Sequence, residues 1–283
     1  MENRKRIAVL MGPPALFLLF LFVLPLAVMA IFTFRAGAFG AEREVFTLAH
    51  YREFLANPAY TRMLWRSTWI AFLVSALSVT LAYPLAYFLA FRVGGRKVIL
   101  LTILIVPAWT SYLLRILAWR LILGSNGVLN SILLSLGIID EATPILLYSM
   151  TAVAITLTYV WIPFVALPIF VSLERINRSV LEAAADLGCA PWQAFLRITL
   201  PLSMPGVLGG FFFAFIPTLG EYVTPMLVGG AKGVMYGNLI QDQFVRALNW
   251  PLGSIMSLAM LLVALVLMAL FVRVVRVSDL VEA

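Results

Sequence analysis

Few residues of this 283-residue chain could do covalent chemistry. It has one histidine, His50, and one cysteine, Cys189, which excludes an internal disulfide and a histidine-cluster metal site. No G-x-x-x-x-G-K-[ST], G-x-S-x-G or H-E-x-x-H occurs, so the phosphate-cradling loop, the serine-hydrolase elbow and the zinc-hydrolase helix are all missing. What remains is the chemistry of recognition. Glu221 stands 23 uncharged residues past Arg197 and ten before Lys232, among Pro217, Gly220 and Pro225. Proline and glycine interrupt a helix there, and a carboxylate in so apolar a setting marks a functional position, of which contact with a cationic solute is one reading. At an effective dielectric of about 20, it attracts an ammonium 4 Å away by about 4 kcal/mol. The competing reading is an internal pair with Arg115 or Arg120. Tyr222 adjoins Glu221, and Trp109 and Tyr112, with Trp119, flank Arg115. Their ring faces could attract ammonium groups, or they could belong to a membrane-interface belt. Asp242 could meet a cationic solute or simply carry surface charge.

A second constellation is "EAAADLGCAPWQAFLRITLP", residues 182–201. Asn177 or Ser179 can cap a helix running to Leu187, and Gly188 supplies the left-handed residue that ends it. Pro191 suits the first turn of a second helix, which Leu200-Pro201 is expected to stop. Glu174, Arg178, Glu182 and Asp186 recur at four-residue spacing as a charged stripe. Val180, Ala184 and Leu187 form a small apolar face, and Trp192, Phe195 and Leu196 stand together on the second helix. Aromatic anchors in a polar loop fill a pocket, either on the protein itself or on a partner.

The elements that position these residues are written in the hydropathy. The chain is 63% hydrophobic and 12% charged, with mean hydropathy +1.03, against about 25% charged in a soluble domain. The uncharged blocks 7–34, 67–91, 142–173, 198–220 and 247–272 each exceed the roughly 20 residues that cross a bilayer as a helix. Block 98–114 is shorter, but Arg115 can snorkel, so a helix reaching about Trp119 would also cross. Six transmembrane helices and an all-α integral membrane protein follow. The run 121–139 holds three glycines, two asparagines and three serines, and reads as a loop with a short interfacial helix rather than a seventh crossing. The N-terminal apolar run is far longer than a secretory core of about 7–15 residues, so it reads as an uncleaved span. With both ends inside, inner segments carry 11 Lys/Arg in 54 residues and outer segments 9 in 88. That density favours cytoplasmic termini. The net charge of +7 suits anionic lipid and requires no nucleic acid.

Glu182-Ala183-Ala184, then Gly188, then Ile198-x-Leu200-Pro201 fits the EAA signature E-A-A-x3-G-x9-I-x-L-P at every defined position. The chain therefore resembles the permeases of ABC importers. "LIVPAWTSYLLRILAW", "NGVLN", "WIPFVALPIF", "GEYVTPMLVGG" and "NWPLGS" extend the resemblance to the spermidine/putrescine (PotB/PotH-type) permease family. The resemblance implies a MetI-like, type I importer fold in a bacterial inner membrane. It implies that 174–204 is the loop docking on an ATPase through Glu182, Ala183, Ala184, Gly188, Trp192, Phe195, Leu200 and Pro201. The implied partners are two cytoplasmic ATPase subunits, a second homologous permease, a periplasmic solute-binding protein and a polyamine cargo, with no cofactor and no catalysis by this chain. The expected organisation is 1–66 as N-terminal tip, first span and first periplasmic loop, 67–273 as the transmembrane type-1 domain, and 274–283 as a cytoplasmic tail. Two rival readings stand beside it. One keeps the ABC mechanism with another small solute, such as an amino-acid derivative or quaternary amine. The other is a self-sufficient secondary transporter, which would show inverted repeats; none is evident, and the EAA segment would be unexplained.

Overall fold

A computed structural model of the chain describes residues 2–141 and 147–275. Among them the structure is helical, and the only strand-like pairing is an isolated bridge between Arg35 and Phe46. Six helices are long and apolar enough to cross a membrane. They are α1 (Leu10–Phe32), α3 (Pro58–Phe91), Tyr112–Ser135, α7 (Met150–Glu174), α9 (Pro191–Leu219) and α11 (Trp250–Val275, apolar to Phe271).

The third of these differs from the sequence expectation. A continuous 98–119 helix is not formed. The chain runs as α4 (Lys97–Ile105), a 3-10 turn Val106–Trp109, extended Thr110 and Ser111, then α5 (Tyr112–Leu123). Pro107 lacks the N–H that would carry the helix onward, and extended Thr110 and Ser111 complete the break. The stretch counted as apolar enough to cross is Tyr112–Ser135, which joins α5 to α6 (Val128–Ser135) across Gly124 and Gly127, both extended. The short helix expected within 121–139 is therefore present. Asn130 seals the break by donating to the Gly124 carbonyl at 2.8 Å. Of the expected block 142–173, residues 142–146 lie outside the described residues, as do 276–283 of the expected tail.

The chain divides into two compact units. In the unit of residues 1–63 and 239–263, α1 carries a π-turn at Leu19–Val23. The Trp250 ring collects Phe32, Phe39 and Phe244 at 5.6, 5.8 and 6.2 Å. Helix α2 (Ala49–Ala56) is held by Tyr51, whose hydroxyl donates to Thr33 at 2.8 Å, and by His50 against the Ala36 carbonyl at 3.0 Å.

The larger unit, residues 64–238 and 264–283, holds the functional elements. Its packing rests on small residues. Ala71, Ser75, Ser78, Ala82 and Ala86 recur along one face of α3 and are fully buried, so α3 approaches α7 closely enough for Ser78 to reach the Thr158 carbonyl at 3.4 Å. Ala82, Ala86 and Leu89 then interleave with Val165, Ile169 and Leu173. Helices α7 and α9 form the most extensive pair. A Cβ at Gly206 would overlap the Pro168 carbonyl, and one at Gly210 would meet that of Val165 at 3.0 Å. The Gly206/Gly210 spacing thus serves intramolecular packing. Tyr83 of α3 and Ser203 of α9 share a buried hydrogen bond of 2.9 Å, and Lys97 pairs with Glu174 at 2.5 Å.

Candidate functional site

Helix α9 ends at Leu219 because Gly220 leaves the helical well, with φ −90° and ψ 7°. Glu221 therefore stands just past the helix, not within it. Its side chain starts the next turn: Oε1 accepts from the backbone N–H of Val223 at 2.8 Å and of Thr224 at 3.0 Å, filling donors that a helix start leaves open. Its Oε2 accepts from the Tyr112 hydroxyl at 2.5 Å, and that hydroxyl also lies 2.8 Å from Thr224 Oγ1. The internal ion pair with Arg115 or Arg120 weighed from sequence is not formed: among the described residues neither arginine lies in a salt bridge, and Glu221 is held by Tyr112 instead. The loop around Glu221 is stitched tightly. Asn238 donates to the Tyr222 carbonyl at 2.8 Å and accepts from Met235 N–H at 2.9 Å. Ser67 accepts from Tyr236 N–H at 2.7 Å, and a Cβ at Gly237 would sit 2.7 Å from the Glu221 carbonyl.

Three donors fix the Glu221 carboxylate: Oε1 accepts two of them and Oε2 one, so Oε2 keeps a second lone pair. Tyr222, beside it, is exposed. The other sequence candidates are not all gathered here. Trp109 is 80% exposed, and Trp119 packs on Tyr159 at 5.4 Å rather than on Arg115. The Arg115 guanidinium faces Tyr112 alone of the three rings expected, 5.9 Å from its centroid. Asp242 lies on α10 (Tyr236–Val245) and pairs with Arg246 at 3.4 Å, an exposed pair of surface character.

The second constellation folds as its residues dictate, with one exception. Asn177 caps α8 (Arg178–Asp186) by accepting from Ser179 N–H at 3.1 Å. Gly188 adopts φ +79°, and the N–H groups of Gly188 and Cys189 satisfy the Ala185 and Ala184 carbonyls at 2.9 Å. Pro191 takes the first turn of α9, where Gln193 reaches back to Ala190 N–H at 3.1 Å. The exception is Leu200-Pro201, which does not stop the helix. A π-turn at Phe195–Thr199 absorbs Pro201: Leu200 N–H bonds to Phe195, and one continuous helix runs from Pro191 to Leu219.

The anchors divide between the two fates open to them. Phe195 turns inward, edge-on to Tyr83 at 5.7 Å and Tyr87 at 6.0 Å. Leu187 is 88% and Trp192 64% exposed, with Leu196 and Val180 also open. Ala184 is buried, while Glu182 and Ala183 face outward. An acid, a tryptophan and two leucines thus stand exposed together on a polar hairpin.

Over residues 7–282 the chain matches the family described as binding-protein-dependent transport system inner membrane component. It belongs to that family of multi-pass inner-membrane permeases, whose members are transport components and not enzymes. The spermidine/putrescine transport system permease protein PotB of Escherichia coli strain K12 is 37% identical over 236 residues, covering 83% of this chain and 85% of PotB. The PotB of Haemophilus influenzae is 34% identical over 228 residues, covering 81% and 78%. The crystal structure of a bacterial ABC transporter importing the acidic polysaccharide alginate superposes with a TM-score of 0.71 over 97% of each chain, at 17% identity, which establishes the shared fold.

Proposed function

We propose that this chain is a permease subunit of an ATP-driven importer and forms half of the translocation pathway for spermidine or putrescine across the inner membrane. The observation that carries the reading is the 37% identity to PotB over 83% of the chain. The partners are two cytoplasmic ATPase subunits, a second homologous permease and a periplasmic solute-binding protein, with both termini of this chain cytoplasmic. The Glu182–Pro201 hairpin docks on the ATPase through Leu187 and Trp192, with Phe195 anchoring it to its own helices. Glu221, positioned by Tyr112 and its two backbone donors, meets an ammonium group of the cargo, with Tyr222 beside it. Trp109, exposed on the same unit, is a further contact for a cation, and Asp242 a weaker one. The test is uptake of radiolabelled spermidine and putrescine by a strain lacking its own polyamine importers and expressing the full operon. Uptake that depends on this chain and on ATP is expected; ATP-dependent uptake of quaternary amines instead would replace the cargo, and uptake by this chain alone would replace the mechanism.

A further inference from the structure

The loop after α1 leaves three charges unanswered in one pocket. It folds back on itself: Ala36 N–H donates to the Val45 carbonyl at 2.8 Å and Thr47 N–H to that of Phe34 at 2.7 Å, which sets Arg35 opposite Phe46. The Arg35 guanidinium lies over the Phe32 ring at 5.4 Å and the Phe46 ring at 5.9 Å. Its Nη1 donates to the Arg43 carbonyl at 2.5 Å, while its Nε is shielded from solvent and has no hydrogen-bond partner. Arg35, Arg43, Glu44 and Phe46 line a pocket of about 430 Å³. Among the described residues none of the three charged groups lies in a salt bridge, with one another or with any other residue. The neighbouring carboxylates are engaged elsewhere. Glu42 lies against Gly37, and Glu53 meets His50 at 3.3 Å.

Position and chemistry choose the occupant. Arg35 stands three residues past the last residue of the apolar helix α1, where a span leaves the hydrocarbon for the headgroup layer. Phe39, Val45, Phe46 and Leu48 are exposed on the same loop, apolar side chains of the kind that a membrane interface covers. An adjoining pocket of about 460 Å³ shares Phe46 and is lined also by Phe34, Leu48 and Arg52. Two guanidinium groups supply the forked donors that suit a phosphate, and Glu44 calls for a cation. Free phosphate answers only the arginines, and a polyamine only the carboxylate. A phosphate joined by a short carbon link to an ammonium answers all three. We propose that this pocket binds the headgroup of phosphatidylethanolamine, its phosphate held by Arg35 and Arg43 and its ammonium by Glu44, and so fastens the loop to the membrane surface. The backbone bridge between Arg35 and Phe46 sets the site before the lipid arrives, which lowers the ordering cost of binding. Neither the cargo nor the ATPase enters into this binding.

The test places a benzophenone amino acid at Val45, which is exposed and whose neighbours Glu44 and Phe46 line the pocket. The full chain, with the subunits that co-purify, is reconstituted in vesicles of equimolar phosphatidylethanolamine and phosphatidylglycerol and illuminated, and its adducts are identified by mass. Phosphatidylethanolamine adducts should exceed phosphatidylglycerol adducts about fivefold, the scale of one charge contact at a membrane surface. Phosphatidylglycerol offers the phosphate without the ammonium, so Glu44→Gln should bring the ratio to about one or below. Arg43→Gln, which loosens the phosphate, should also abolish the preference. Arg43 and Glu44 are exposed, so neither change threatens the fold, and Arg35, which braces the loop, stays intact. Excess soluble phosphoethanolamine should leave the wild-type ratio unchanged. Equal adducts in the wild-type chain, a preference kept by either variant, or displacement by soluble phosphoethanolamine would each overturn the proposal. So would the absence of a lipid adduct, or an adduct to a protein in its place.

Discussion

At the scale of the residue, Glu221 carries two duties that substitutions can separate. Its Oε1 caps a helical turn through Val223 and Thr224, and its Oε2 takes the Tyr112 hydroxyl. Glutamine keeps the capping oxygen and removes the charge, so Glu221→Gln should leave the importer assembled while polyamine uptake falls by about tenfold or more, a loss of about 1.4 kcal/mol or more in transition-state terms. Wild-type uptake would remove the cargo contact. Alanine removes the cap too, which costs about 0.5–2 kcal/mol, so Glu221→Ala should lower the melting temperature where Glu221→Gln does not. Tyr112→Phe deletes a hydrogen bond to a charged acceptor, worth about 1.5–3 kcal/mol. It should destabilise the purified complex and, by freeing an oxygen of Glu221, raise rather than lower cargo affinity in an equilibrium binding assay. The carboxylate could be picked out from sequence because it interrupts an uncharged run. Its partner could not: Tyr112 is 109 positions away, and the nearby arginines offered a simpler electrostatic answer that the fold does not use.

At the scale of the element, local rules succeed where the backbone alone decides and fail where neighbouring turns share strain. Gly188 at φ +79° and Pro191 in a first turn follow from their own covalent geometry. The helix stop expected at Pro201 does not occur: the π-turn just before it, where Leu200 N–H bonds to the Phe195 carbonyl, carries the chain on as a helix. The break before Tyr112 was only partly legible: Pro107 signals it, but nothing in the types of Thr110 and Ser111 shows that they complete it. The buried stripe Ala71, Ser75, Ser78, Ala82 and Ala86 was present at helical spacing and could have been read as a close-packing face of α3. Two predictions belong here. A β-branched side chain is badly strained at φ +79°, so Gly188→Val should abolish co-purification of the ATPase while this chain still inserts and pairs; an undiminished ATPase stoichiometry would detach the hairpin from coupling. Gly206→Val would overlap the Pro168 carbonyl, an overpacking that costs about 1–3 kcal/mol. Detergent melting curves should show the loss, and Gly209→Ala, where the nearest atom is 3.9 Å from a Cβ, should show none.

At the scale of the whole chain, six apolar helices and a denser basic charge on one set of loops favour a sidedness that labelling can test. In a Cys189→Ser background, a cysteine at Lys232 should react with an impermeant maleimide added to intact cells, and cysteines at Gly95 and Asp186 only after the membrane is opened. Labelling of Asp186→Cys from outside would invert the assignment and place the hairpin beyond reach of any cytoplasmic motor.

The unbroken course from Pro191 to Leu219 makes α9 a stiff lever. Its tightest contact, Gly206 and Gly210 against the Pro168 and Val165 carbonyls of α7, is a fulcrum. The arm from Trp192 to Gly206 is about 21 Å and that from Gly210 to Leu219 about 14 Å, at 1.5 Å per residue. A sideways push on the hairpin therefore emerges at the Glu221 end reversed in direction and reduced to about two-thirds of its size.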